Sequence, residues 1–233
     1  MKLDILAFGA HPDDIELAAS GTLLYHQGLG QKIGVVDLSK GELGTRGSAE
    51  LRMQEAEKAA KILGLSVREN LGVADGFFEI DQTNLMKVVE MIRKYRPEVV
   101  FANAVSDRHP DHGRGASLVS RACFLSGLVN ADTNQEPWRP KAVYNYIQDR
   151  GLTPHFVIDI TEYWSKKMES IMAYSSQFYD PNSKEPDSPI SSKEFKDFLE
   201  ARAREHGRMI GVEFGEGFTI ERPIGVTNVL DLI

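Results

Sequence analysis

Cysteine is nearly missing from this chain: Cys123 is the one example in 233 residues. No intrachain disulfide can form, so nothing marks an oxidising compartment. Cys123 lies in the helical pattern 113–127, where a small buried hydrophobe is expected. No uninterrupted apolar run approaches the roughly 18 residues of a membrane span. The first residues include Lys2 but no signal-peptide core, because Asp4 and the cluster at 11–14 interrupt the apolar stretch. No basic tract stands out, and the net charge is −7, which argues against neutralising phosphates. These absences predict a cytoplasmic protein with no membrane and no nucleic-acid partner, working on a small molecule. Internal repeats and low-complexity tracts are lacking too. What remains, 42% hydrophobic and 26% charged residues, is ordinary for a globular chain able to bury one sizeable core.

The first half alternates strand and helix patterns. An apolar run at 3–10 precedes a helical pattern at 14–28; 32–38 is the next strand, and Gly41–Gly47 a glycine-rich loop. Ser48 reads as the N-cap of a helix over 49–63, with Gly64 as its stop. A short strand at 67–71, a turn at Asp75-Gly76, a helix over 81–95 and a strand at 98–103 follow. This order predicts an α/β, Rossmann-like, mostly parallel sheet with right-handed crossovers and helices on both faces. Past residue 135 a C-terminal elaboration is expected within one domain spanning 1–233. It has strands at 141–147 and 156–160, a helix over 163–174 started by Thr161-Glu162, and a proline-rich loop at 178–192. A charged helix over 193–206 stopped by Gly207 and a strand at 212–220 complete it.

Two short clusters carry the chemistry. His11-Pro12-Asp13-Asp14 ends the first strand, and His109-Pro110-Asp111-His112, preceded by Asp107-Arg108, ends the strand at 98–103. Ligands of open α/β sheets bind at the carboxyl ends of strands, so two imidazole-and-carboxylate clusters can meet at one mouth. Their composition suits a divalent metal with a spare carboxylate and imidazole for proton transfer. A turn at 11–14 brings His11 and Asp14 to the same side and leaves Asp13 as a base for a bound water. The competing reading is that Asp13 and Asp14 only complement the positive end of a helix dipole; Glu16 reads as such a first-turn charge. In the second cluster Asp111 can orient one of the two imidazoles, and whichever histidine does not bind metal can act as a general acid. Arg108 can grip an anion or hydroxyl group.

The sequences AHPDD and RHPDH, each after a strand, resemble the LmbE-like metal-dependent de-N-acetylases, the GlcNAc-phosphatidylinositol de-N-acetylase superfamily. The likeness runs the whole length and is closest to the bacillithiol-type branch. It includes the loop at 41–47, Leu51-Arg52, Ser176-Gln177-Phe178-Tyr179 and Gly215-Glu216-Gly217-Phe218. It implies one zinc held by His11, Asp14 and His112, with iron(II) or another divalent ion as a substitute. It implies Asp13 as general base, His109 as the imidazole that stabilises charge or carries a proton, and Asp111 as the partner orienting His109. Arg52 and Arg108 match substrate-binding positions. Without that match, Arg52 reads equally as a surface ion pair with Glu50 and Glu55. The implied substrate is a small sugar conjugate, N-acetylglucosaminyl malate, and the implied assembly a homo-oligomer, for instance a hexamer. The position aligned with a relative's oxyanion-binding tyrosine reads Phe195; Tyr179 is the substitute considered.

Other readings remain to be weighed. A nucleotide-binding Rossmann protein expects G-x-G-x-x-G after the first strand; here the turn carries two carboxylates that would repel a pyrophosphate. A deacetylase of another N-acetylated sugar shares every motif above. So does a non-catalytic metal- or sugar-binding module, which would have no use for Asp13 and His109.

Overall fold

Strand β1 (Ile5–Gly9) is buried along its whole length, as an unbroken apolar run requires inside a sheet covered on both faces. In the computed structural model, which describes residues 1–232, β1 lies parallel to β2 (Ile33–Asp37) on one side and β4 (Val99–Ala102) on the other. Beyond β2 comes β3 (Val67–Asn70), and beyond β4 comes β5 (Ala142–Tyr146), both parallel. Two antiparallel strands, β7 (Gly215–Ile220) and then β6 (Phe156–Asp159), finish one edge, giving the order β3-β2-β1-β4-β5-β7-β6. The mostly parallel, Rossmann-like sheet is therefore as the alternation predicts. Its strand order reverses between β1 and β4, so the two clusters flank the crevice where such sheets bind ligands.

Side-chain alternation sorts the core into layers. Leu6 and Phe8 pack with Val88 and Val89 of α4 (Gln82–Tyr95) and with Leu118 and Val119 of α5 (Pro110–Leu125). Ile5 and Ala7 point to the opposite face, against Ile15 of α1 (Asp14–Ala18) and Leu23 of α2 (Ser20–Gly28). A further apolar cluster joins Ala56 and Ala59 of α3 (Ala49–Leu63), Ile171 of α6 (Trp164–Met172) and Leu199 of α7 (Lys193–Ile210). Cys123 is buried in the α4/α5 layer, where burial pushes its thiol upward. Among the described residues, no helix is long and apolar enough to cross a membrane.

Several boundaries differ from the sequence expectations. The helical pattern at 14–28 is two helices, broken at Ala19 (φ −135°, ψ 1°). The break frees the N–H groups of Gly21 and Thr22, which donate to the Glu216 carboxylate at 2.9 and 2.7 Å. Helix α5 begins at Pro110 rather than residue 113, because proline is suited to a first helical turn and the His109 side chain accepts the Asp111 N–H at 3.3 Å. A 3₁₀ turn, Thr161–Tyr163, precedes α6, with no side-chain cap. Helix α7 continues past Gly207 to Gly211, the actual stop, at φ 77°. Gly207 serves close packing instead: a Cβ there would lie 2.8 Å from the Val212 carbonyl oxygen. That packing delays the last strand to Gly215. The caps at Ser48 and Gly64 are as expected, and 178–192 contains no helix or strand.

Glu216 anchors this elaboration. Besides capping α2 it accepts from the Lys167 ammonium at 2.7 Å, and both side chains are fully enclosed. Burial lowers Lys167 below the usual lysine range, opposed by Glu216. Removing one member of a buried pair strands the other charge, at about 3–5 kcal/mol. Glu216→Gln should therefore lower unfolding free energy by about 3 kcal/mol in urea titration. An unchanged midpoint would mean that the pair contributes nothing to the fold.

Candidate active site

At the end of β1 the chain reverses abruptly. A Cβ on Gly9 would lie 3.0 Å from the His11 carbonyl oxygen and 3.2 Å from Asp14 Cβ, so the turn requires a residue without one. Asp14 Oδ2 then accepts the His11 backbone N–H at 3.0 Å. Between them Asp13 adopts φ 113°, a left-handed conformation that costs a non-glycine residue about 1–3 kcal/mol. The carboxylates of Asp13 and Asp14 consequently have different partners, as the sequence pattern predicts.

Asp14 is held from three directions. Asn103 Nδ2 donates to Oδ2 at 2.9 Å and Gln148 Nε2 to Oδ1 at 2.6 Å, while His112 Nε2 lies 3.2 Å from Oδ1. His11 Nδ1 lies 3.7 Å from Oδ2. The far nitrogen of each imidazole is held by a carboxylate: His112 Nδ1 by Asp107 Oδ2 at 2.5 Å, and His11 Nε2 by Asp75 Oδ1 at 3.0 Å. Burial opposes charge on both rings, but the surrounding carboxylates outweigh it, carrying His112 to about 9 and His11 well above the usual histidine range. Asp14 is held far below the ordinary carboxylate range despite its burial, by His112 and His11.

This donor set fits a divalent cation. A tetrahedral ion with bonds of about 2.0–2.1 Å places neighbouring ligand atoms about 3.3–3.4 Å apart; His112 Nε2 and His11 Nδ1 lie at comparable distances, 3.2 and 3.7 Å, from the two different oxygens of Asp14. Metal-bound imidazoles regularly give their second nitrogen to a carboxylate, the role open to Asp107 and Asp75. His11, His109 and His112 also bring ligand nitrogens within 4.8 Å of one another, as do His11, Asp75 and Asp111 with their donor atoms. His11, Asp14 and His112 could hold the ion with the outer nitrogen of each imidazole already held by a carboxylate.

Asp13 is buried beside this centre and accepts from Arg52 Nη2 at 2.7 Å. Burial raises its carboxyl to about 6, with Arg52 opposing the rise. Arg52 is enclosed and not a surface residue paired with Glu50 or Glu55, and it also reaches the Gly41 carbonyl at 3.3 Å. His109, half-buried, has its ring centroid 4.5 Å from that of His11 and 5.2 Å from that of His112. Burial and these two imidazoles lower it. Since Nδ1 accepts the Asp111 N–H, the neutral ring carries its hydrogen on Nε2.

The expectation for Asp111 needs correction. The Asp111 carboxylate makes no hydrogen bond to His109: it accepts from Gly76 N–H and Arg114 Nη1, each at 2.8 Å, and lies 3.6 Å from His11 Nε2. In the first turn of α5 its side chain is directed toward the β1 turn, away from the N-cap. Glu16 is a first-turn charge of α1, as expected, but a fully buried one that pairs with Arg68 Nη1 at 2.5 Å. Arg108 reaches the cavity mouth, half-exposed and ion-paired with Asp149.

The cavity occupies about 280 Å³ and gathers His11, Asp13, Asp14, Arg52, His109 and His112 into one wall, near the small end of small-molecule sites. Phe195 lines it, but Tyr179 lies in a separate hollow behind Phe195. Among the described residues no tyrosine faces the cavity. Sequence reasoning misses Asp107, Asp75, Asn103, Gln148, Arg46 and Arg202. Asp107 is signalled by its place in the second cluster and Asp75 by its turn, while Gln148 and Arg202 carry no local signal.

A family profile described as PIG-L, GlcNAc-PI de-N-acetylase, matches residues 6–123, which span both clusters. The chain belongs to this family. It is 33% identical to a conserved protein of Thermus thermophilus, TT1542, whose crystal structure superposes with a TM-score of 0.88 over 97% of this chain and 98% of that one. A diacetylchitobiose deacetylase of Thermococcus kodakarensis is 25% identical, covering 91% of this chain and 81% of the relative. A probable N-acetyl-alpha-D-glucosaminyl L-malate deacetylase 2 of Bacillus anthracis is 28% identical, covering 75% and 81% respectively. Membership makes the chain a metal-dependent amide hydrolase of the PIG-L, or LmbE-like, deacetylase type.

Replacing an outer-shell partner typically costs about 10–100-fold in metal affinity. Asp107→Asn and Asp75→Asn should each release metal to a chelator at about tenfold lower chelator concentration or less. Retention equal to wild type in both variants would remove them from the metal centre.

Proposed function

We propose that this enzyme removes the acetyl group from N-acetylglucosaminyl malate, giving glucosaminyl malate and acetate, with zinc as the resident ion. The observation that carries the reading is the juxtaposition of an ion-binding trio, His11, Asp14 and His112, with a buried carboxylate, Asp13, that is not needed to hold the ion. A non-catalytic module would have no use for that carboxylate. The malate conjugate is favoured over a neutral disaccharide by the kinship with the Bacillus anthracis protein and by one cavity-lining arginine, Arg46, that no carboxylate pairs among the described residues.

A bound divalent ion supplies a Lewis acid for the acetyl oxygen and lowers the pKa of a bound water toward neutrality. Asp13 takes the proton from the attacking water. Its pKa near 6 leaves it ionised at neutral pH, yet basic enough for the task. Arg52, bonded to the other side of that carboxylate, fixes its direction. His109 Nε2–H can donate to the oxygen on which charge develops, a role no cavity tyrosine is present to share among the described residues. As the carbon–nitrogen bond breaks, the departing amine needs a proton, and both Asp13 and His109 lie in the same cavity to deliver it.

Purified enzyme, stripped and reloaded with zinc, should release free amine from N-acetylglucosaminyl malate faster than from N-acetylglucosamine or diacetylchitobiose. Faster release from diacetylchitobiose would transfer the reading to chitin-derived sugars. No release from any of them with stoichiometric metal bound would overturn it. Asp13→Asn should lose about 10²–10⁴-fold in kcat while retaining metal, whereas His112→Ala should lose the metal itself. Equal metal loss in the two variants would contradict this division of roles.

A further inference from the structure

The glycine-rich loop at 41–47 carries a charge that the reaction above does not use. Arg46 is 5% exposed and lines the cavity. Among the described residues its guanidinium forms no ion pair, with 4.0 Å as the limit. Its side chain makes one hydrogen bond, from Nη2 to the Ser183 hydroxyl, and its Nε is buried with no partner at all. The neighbouring arginines are different. Arg52, whose Nε is likewise without a partner, is paired with Asp13; Arg108 is paired with Asp149, and Arg202 spends its Nη groups on the carbonyls of Gln148 and Leu17. A buried, unpaired guanidinium is costly, and it persists in a fold where a binding partner completes it.

The loop that bears Arg46 is also tied to the metal centre. Asp75, which holds His11 Nε2 with one carboxylate oxygen, accepts the Leu43 N–H with the other at 2.9 Å, and its own N–H donates to Glu42 Oε1 at 2.9 Å. On the far side, Gln177 Nε2 donates to the Arg46 carbonyl at 2.8 Å, and Ser183 belongs to the 178–192 loop, whose Ser188, Pro189 and Ile190 form another cavity wall. Arg46 is thus fixed between the reacting centre and the outer wall of the cavity.

We infer that Arg46 is a specificity-determining residue that receives a carboxylate on the part of the substrate beyond the N-acetylated sugar. Nε is enclosed, and the Nη1 and Nη2 hydrogens not given to Ser183 offer an end-on fork that can bind a carboxylate with two bonds. The inference deepens the proposed function and rests on its reading of which cavity binds the sugar. Arg46 touches no reacting atom in this scheme. It acts on binding, so its loss should appear in KM and leave kcat alone.

The test uses zinc-loaded full-length enzyme, wild type and Arg46→Gln, which keeps a donor for Ser183. Two substrates are compared, N-acetylglucosaminyl malate and its neutral dimethyl ester, together with calorimetric binding of the deacetylated malate conjugate. The variant should lose about 10- to 100-fold in kcat/KM for the dicarboxylate, through KM, and bind the product correspondingly more weakly. The ester should be turned over within about twofold of wild type, since it lacks the charge that the guanidinium would meet. Arg46→Lys should recover part of the loss. Because the variant removes an uncompensated buried charge, its melting temperature should equal or exceed that of wild type, which a merely structural arginine would not allow. An equal loss on both substrates, or no loss on either, would overturn the inference. If wild type deacetylates neither compound, the proposed reaction fails, and product binding still decides for or against Arg46.

Discussion

Parallel pairing of β1 with β4 is the constraint from which the site follows. Ile5 stands opposite Val99 and Ala7 opposite Phe101, so two strands almost a hundred residues apart in sequence end side by side. The chain leaves β1 toward β2 and reaches β4 only after two further helices, which places the reversal of strand order at this pair. A crevice at such a reversal is a property of the topology. What this chain adds is a histidine-and-aspartate turn on each lip. A one-residue slip in register would send Leu6 and Phe8 into the layer built for Ile5 and Ala7, so the apolar alternation that stabilises the sheet also sets the alignment of the ligands.

The buried charges are met by opposite charges or by several hydrogen bonds. Asp14 is met by Asn103, Gln148 and two imidazoles; Arg68 is met by Asp37 and Glu16; Lys167 by Glu216; Asp13 by Arg52. Each pairing offsets a desolvation cost that would otherwise exceed the attraction. The carboxylates around His11 and His112 favour positive charge on both rings, and the same concentration of negative charge suits a divalent cation. Among the described residues Arg93 and Glu55 have no ion pair, but carbonyls, hydroxyls and an N–H surround them; Arg46, by contrast, has a single side-chain hydrogen bond and lines the cavity beside the two clusters.

Local sequence carries the parts of the structure that depend on local physics. Ser48 and Gly64 bound α3 because a hydroxyl cap and a left-handed glycine act within a few residues. The two clusters are conspicuous because polar residues interrupt apolar runs at strand ends. What local sequence misses is decided at long range. The α1/α2 break depends on Glu216, nearly two hundred residues away, and α7 continues through Gly207 because the chain beyond it packs there. Gln148 is 134 residues from the Asp14 carboxylate it holds, and Asp75 is 64 from His11. No spacing rule reaches that far. Asp111 shows a subtler limit: an aspartate beside two histidines invites pairing with one of them, but the direction of the first turn of α5 takes its side chain to Gly76 and Arg114.

Asp13 shows what the site demands of the fold. Its left-handed backbone would be relaxed in glycine, and its carboxylate is buried close to that of Asp14, whose charge adds to the rise in its pKa. Both features work against stability, and in the proposed scheme, where His11, Asp14 and His112 hold the ion, neither is needed for binding. The turn is too tight to let consecutive aspartates share an environment: Asp14 faces His11 and His112, while Asp13 is directed toward Arg52 and lines the cavity, where burial raises its pKa. A turn built for metal binding alone could relax by placing glycine at position 13. The presence there of a buried carboxylate, held by Arg52 with a pKa of about 6, is the feature on which the proposed catalytic role rests.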